Sequence, residues 1–149
     1  MNISKYIDSS RIIFPENTNR DHTLSSLVEL SEDCLHNKDK FLEAILEREK
    51  IMTTGLGFEV AFPHAKNESV IDFFISIAVS KNGIEWNSLD GQTAKIIFLI
   101  GGPVNGQMTY LKILAKLSSL TKDQSNKDKL LQAQSPTELE QALNELISN

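Results

Sequence analysis

His64 has a setting unlike that of the other two histidines in the chain. It directly follows Pro63 and shares alternate-position parity with Phe58, Val60 and Phe62, so it emerges from the end of a largely apolar strand read over residues 58–62. Pro63 restricts the local backbone and removes one N–H. A neutral imidazole offers a lone pair near neutral pH and is a competent nucleophile in covalent phosphoryl transfer. On spacing alone a histidine of the core or of a turn is the better reading of His64. His22 and His36 flank a helix in polar surroundings, with no Cys or His at metal-ligand spacing, and read as solvated surface residues. No metal cluster is expected.

Arg48 is the second chemical residue. The spacing of Phe41, Ala44 and Ile45 predicts a helix ending before Thr53, and three further residues along that stripe lies Arg48, a charge on the inward side of the helix end. Its guanidinium can satisfy the last helix carbonyls, and its fork suits phosphate oxygens. The two readings are compatible. Between Arg48 and His64 runs Thr54-Gly55-Leu56-Gly57. Two glycines let backbone N–H groups approach an anion closely, but for a lone Gly-x-Gly an ordinary tight turn is the better reading. The run is neither a P-loop nor a dinucleotide fingerprint.

The elements that must position these residues alternate in type. A short strand is read over residues 11–14, then a helix from a possible N-cap at Asp21 that presents Leu24, Leu27, Val28 and Leu35. Residues 72–80 alternate, with Phe73, Ile75, Ile77 and Val79 facing one way, and Asn82-Gly83 signals a turn. Residues 95–100 are apolar on both faces, which marks a strand covered on both sides. A loop through Gly101-Gly102 and Gly106 leads to a helix over residues 108–120, whose Tyr110, Ile113, Leu114 and Leu117 share a face. A short helix is read over 126–134. Ser135, Pro136 and Glu138 read as a capping box that opens a last helix with Leu139, Ala142, Leu143 and Leu146 as its stripe. Strands interleaved with helices predict an α/β fold: a central mixed β-sheet flanked by helices on both faces, built as one domain over residues 1–149.

Composition removes several function classes. Apolar residues at 40% and charged residues at 23% suit a globular domain. A net charge of −5 without a Lys/Arg cluster repels rather than collects a nucleic-acid backbone. No apolar run approaches the ~20 residues that cross a bilayer, and the N-terminus lacks an apolar signal core, so neither membrane insertion nor a signal peptide is expected. One cysteine, Cys34, excludes an internal disulfide and suits a reducing, cytoplasmic location.

Taken together, Arg48-Glu49, Thr54-Gly55-Leu56-Gly57 and Ala61-Phe62-Pro63-His64 resemble the signature of enzyme IIA domains, type 2, of the bacterial sugar phosphotransferase system (the fructose–mannitol class, which includes nitrogen-regulatory members). The segment from Gly83 to Gly91 before the central strand, and Tyr110-Leu111-Lys112-Ile113 after it, extend the resemblance over essentially the whole chain. It implies the enzyme IIA type-2 fold and a phosphocarrier activity. His64 would be the phosphorylated nucleophile and Arg48 would stabilise the phosphate, helped by Thr54, the N–H groups of Gly55 and Gly57, and the start of the Tyr110 helix. The implied donor is an HPr-type phosphocarrier; the acceptor is a IIB domain or a regulatory protein. No cofactor, metal or nucleotide is implied. Many members carry a second histidine where this chain has Tyr110, which can donate a hydrogen bond but supplies no positive charge. A regulatory member acting by protein binding, towards which the lack of IIB or IIC segments in these residues leans, and a module that no longer carries phosphate both remain open.

Overall fold

A computed structural model describes residues 2–149. Its sheet is organised by the doubly apolar stretch after Lys95. That stretch becomes β6 (Ala94–Gly102), whose odd and even side chains enter different cores: Ile96, Phe98 and Ile100 on one face, Ile97 and Leu99 on the other. Along one edge of β6 runs β5 (Phe74–Ile84), antiparallel, and beyond it β1 (Ile12–Ile13), parallel to β5. Along the other edge run β3 (Val60–Ala61) and then β4 (His64–Lys66), both parallel to β6, with β2 (Gly55–Gly57) antiparallel to β3 outside them. The sheet is therefore mixed, in the order β1-β5-β6-β3-β2 with β4 also on β6.

Two strands differ from the sequence reading. The strand expected over residues 58–62 is shorter and broken. Phe58 and Glu59 take positive φ, 59° and 67°, and form the tip of a hairpin between β2 and β3. Such primed turns match the twist of flanking strands. Val60 and Ala61 pair with Ile96 and Ile97, Pro63 interrupts, and pairing resumes in the same register at His64 against Ile100. His64 thus opens a new strand segment. On β5, Gly83 (φ 87°) does not end the strand at a turn but absorbs a register shift inside it, where a Cβ would overlap the Thr93 hydroxyl. β5 is also buried on both faces, because Phe74, Ser76 and Ala78 pack under helices. The Ser76 hydroxyl escapes penalty by hydrogen bonding to the hydroxyl of Ser31.

Helices cover each face, as the alternation of elements predicts. On one side α1 (Arg20–Leu30) and α2 (Lys38–Ile51) set Leu24, Leu27, Phe41 and Ile45 against Phe74, Ala78, Ile97 and Leu99. On the other, α3 (Gln107–Thr121), α4 (Gln124–Leu131) and α5 (Pro136–Ser148) set Ile113, Leu117, Leu139 and Leu143 against Ile75, Ile77, Ile96 and Phe98. The cap of α1 is Asn19, whose side chain accepts from the His22 N–H; Asp21 lies inside the first turn. Leu35 lies beyond α1, in an isolated bridge to Val70. Ser135 caps α5 as expected by accepting from the Glu138 N–H at 3.1 Å, while the Glu138 carboxylate takes the Ser135 hydroxyl instead of a backbone donor.

Where β6 ends, the backbone runs close beneath two aromatic rings. A Cβ on Gly101 would overlap the Phe74 ring and come within 3.1 Å of Phe41. Gly101→Ala is therefore expected to destabilise the fold by about 1–3 kcal/mol through overpacking. Urea unfolding measures this, and an unchanged midpoint would show that the rings simply move aside.

Candidate functional site

His64 sits where β4 passes the end of α2 and the start of α3. Its Nδ1 lies 2.9 Å from the Phe62 carbonyl oxygen. A carbonyl only accepts, so Nδ1 carries the proton and Nε2 keeps the lone pair. Burial pushes the imidazole pKa below its ordinary value. The Phe62 hydrogen bond and the Glu49 carboxylate pull it upward, while the Arg48 and Lys66 charges push it further down. The result is a neutral imidazole near pH 7 in a single tautomer with its free nitrogen directed away from the backbone bond.

Three side chains surround it. The Tyr110 ring lies against the imidazole, with centroids 4.9 Å apart and planes tilted by 36°. It comes from the inner stripe of α3, with Ile113 and Leu117, and is only 7% exposed. Burial pushes its phenol up to about 12, against a lowering by Arg48, so it stays a protonated donor. Arg48 donates from Nη1 to the Met52 carbonyl at 2.8 Å, which satisfies the end of α2, and its charge still reaches both His64 and Tyr110. The reading of Arg48 as a partner of the last helix carbonyls is thus observed. Lys66, two residues past His64 on the same face of β4, sets Nζ 5.9 Å from the Tyr110 ring centroid. The first turn of α3 adds a positive helix end. Its cap, Gly106, gives no side-chain acceptor, and the Tyr110 N–H is the first to bond back, to Gly106.

The structure does not bring Thr54, Gly55 and Gly57 to this site as anion donors. The Thr54 N–H and hydroxyl both donate to Glu49, at 2.7 and 2.6 Å, and that hydroxyl accepts from the Trp86 indole at 3.2 Å. The Gly55 N–H donates to the Thr53 hydroxyl. Gly57 faces a carboxylate: a Cβ there would sit 3.0 Å from Asp90 Oδ2, which already takes the Phe58 N–H. An acidic neighbour repels phosphate, and spent donors cannot cradle it. The glycines instead allow close packing, since a Cβ on Gly55 would overlap the Ser88 hydroxyl and approach the Trp86 ring to 2.9 Å.

Two further residues beside His64 have no role in the sequence reading: Glu49, present there only within the Arg48-Glu49 pair, and Lys66. Glu49, 3% exposed, lies four residues past Ile45 and eight past Phe41, so the stripe that suggested Arg48 also runs to it and buries it more deeply. Lys66 was detectable from its i, i+2 relation to His64. The other histidines stay apart from the site: His22 is exposed and pairs with Asn17, and His36 is exposed. Among the described residues no group of three or more His, Cys, Asp or Glu could hold a metal ion, and no helix is long and apolar enough to cross a membrane.

Residues 5–146 match the family described as "Phosphoenolpyruvate-dependent sugar phosphotransferase system, EIIA 2". The fructose-specific EIIA component of Haloferax volcanii is 33% identical over 130 residues, 86% of this chain and 84% of that one. The fructose-specific EIIABC component of Bacillus subtilis is 40% identical over 101 residues, 68% of this chain; the match spans only 16% of that longer protein. The crystal structure of nitrogen regulatory protein IIA-Ntr from Neisseria meningitidis superposes with a TM-score of 0.88 over 95% of this chain and 98% of that one, at 23% identity, and so shares the fold.

The depressed His64 value makes a prediction with a definite sign. The unfolded chain takes up this proton first as pH falls, so the stability tied to a neutral His64 is fully present above the ordinary histidine value near 6.5 and is lost as pH falls through the lower folded value. NMR titration should place the His64 midpoint below the ordinary histidine value near 6.5. A midpoint above that value would show that His64 is not held neutral by burial.

Proposed function

The chain belongs to the EIIA 2 family of the phosphoenolpyruvate-dependent sugar phosphotransferase system, and on that premise we propose that it is a cytoplasmic, single-domain phosphocarrier that accepts a phosphoryl group on Nε2 of His64. The observation that carries this reading is the Nδ1 bond to the Phe62 carbonyl, which leaves Nε2 unprotonated and free. The donor is an HPr-type protein bearing phosphohistidine. The Nε2 lone pair attacks phosphorus in line; the new N–P bond forms as the donor's N–P bond breaks, and that electron pair returns to the donor imidazole. The Nδ1 proton stays in place. Its carbonyl partner stabilises the positive charge that the His64 ring takes on, so no outside acid or base is required.

Phosphoryl transfer asks chiefly for positioning and charge neutralisation. On this reading Arg48, the open N–H groups at the start of α3 and the neutral Tyr110 hydroxyl are the donors that meet the phosphoryl oxygens. Thr54, Gly55 and Gly57 act through packing, by holding the turn that joins α2 to β2. Docking has its own surface. Ile51 and Met52 at the end of α2, Val104 in the loop after β6, and Met108 and Leu111 on α3 are all exposed on the elements that flank His64. The phosphorylated donor seats on this apolar rim, and the acceptor, a IIB domain or a regulatory protein, follows it there.

Incubated with phosphorylated HPr-type donor, the chain should gain one acid-labile phosphoryl group, and His64→Ala should lose it without unfolding. Labelling that survives in this variant would disprove the reading. Passage of the label onward to a fructose IIB domain reads out a transport role; retention of it points to a regulatory acceptor. Arg48→Met should slow the transfer by about 10- to 100-fold, the worth of a hydrogen bond to a charged group. Its unfolding free energy should change by only about 0–1 kcal/mol, because the bond to the Met52 carbonyl is solvent-exposed. A stability loss with an unchanged transfer rate would confine Arg48 to capping α2.

A further inference from the structure

A phosphoryl group on His64 brings close to two negative charges into the site. Arg48 supplies one positive charge and already shares it with the Met52 carbonyl, Tyr110 stays neutral, and Glu49 is a carboxylate whose field reaches the imidazole. Something more must balance the phosphorylated state. Lys66 is the remaining cation in reach. It occupies the next same-face position to His64 on β4, about 6.6 Å along the strand, within the span of a four-carbon stem. Among the described residues no carboxylate forms an ion pair with it, whereas Lys38 has two such partners and Lys50 and Lys95 one each. Instead its ammonium lies over the Tyr110 ring, which in turn lies against His64.

We propose that Lys66 is the second cation of the phosphoryl site, parked on the face of Tyr110 in the free protein and turned onto the phosphoryl oxygens once His64 is charged. The proposal rests on His64 as the phosphorylated residue. The ring of Tyr110 has two tasks on this account: it walls the imidazole and it keeps the ammonium beside it without neutralising it, since a cation–π contact costs the lysine none of its charge. On the oxygens, Lys66 withdraws the electron density that expels the imidazole, and it opposes protonation of the ring as a leaving group. The phosphorylated form therefore lives long enough to meet its acceptor.

The test compares the parent with Lys66→Met, Lys66→Arg, Tyr110→Phe, Tyr110→Leu and the double variant Lys66→Met/Tyr110→Leu. Each is charged both with the phosphorylated HPr-type donor and with phosphoramidate, a small chemical phosphoryl donor that needs no docking. Lys66→Met should shorten the phosphohistidine half-life about tenfold, the effect of one unit charge a few ångströms away in a partly solvated site, and Lys66→Arg should restore it. Tyr110→Phe keeps the ring face and should lose only the share of the hydroxyl, about fivefold. Tyr110→Leu should lose more, and the double variant should fall little below the worse single one, because both remove the same contact. The His64 midpoint should rise in Lys66→Met. Half-lives equal to the parent in Lys66→Met would overturn the proposal, and effects of Lys66→Met and Tyr110→Leu that simply multiply would overturn the role of the ring. Charging of His64 by phosphoramidate alone would refute the carrier reading while the comparison of half-lives still decides the lysine. A His64 that neither donor charges would end both.

Discussion

The bond between His64 Nδ1 and the Phe62 carbonyl organises the site. Pro63 has no donor to give the sheet, and the line of pairing along β6 breaks between Ala61 and His64 and resumes in the same register. The Pro63 carbonyl faces β6 and accepts from the Ile100 N–H, whereas Phe62 faces the other edge, where its N–H goes to the Thr54 carbonyl. The Thr54 N–H, which would complete that pair, goes to Glu49 instead, and the Phe62 carbonyl is left for the imidazole two residues on. That bond fixes the tautomer of His64 and the nitrogen that stays free.

The second constraint is electrostatic and lies beneath the first. Glu49 is a carboxylate taken almost entirely out of water, a step that costs several kcal/mol unless it is well hydrogen-bonded. Two short donors from Thr54 meet that need, and Trp86 completes the chain of bonds. The knot ties the last turn of α2 to the strand leading into the hairpin and to the segment after β5. Because Arg48 is the residue before Glu49, the same knot sets where the guanidinium stands. A buried anion and a half-buried cation at adjacent positions of one helix give the imidazole a field with both signs, and desolvation decides the outcome.

Around this centre the charge pattern runs against the rest of the molecule. The chain carries −5 overall, yet Arg48, Lys66 and the positive end of α3 all gather at His64. On the elements flanking it Met52, Val104 and Met108 are exposed and bear no charge.

Much of the fold was legible in the residues. Alternation in β5, the doubly apolar β6 and the stripes of α2, α3 and α5 follow from periodicities of 2.0 and 3.6, and these imply a sheet covered on both faces. His64 and Arg48 could be singled out because a histidine after a strand-ending proline and an arginine on an inward stripe are local patterns. What tertiary structure alone decided were the partners. Thr54 and the two glycines look in sequence like an anion cradle, but whether a donor is free depends on what faces it, and Glu49, Thr53 and Asp90 do. Phe58 looks like a strand residue because it is aromatic, yet the hairpin closes there through positive φ. The lysine over the Tyr110 ring joins β4 to α3, elements more than forty residues apart in sequence, and no local period encodes a contact of that kind.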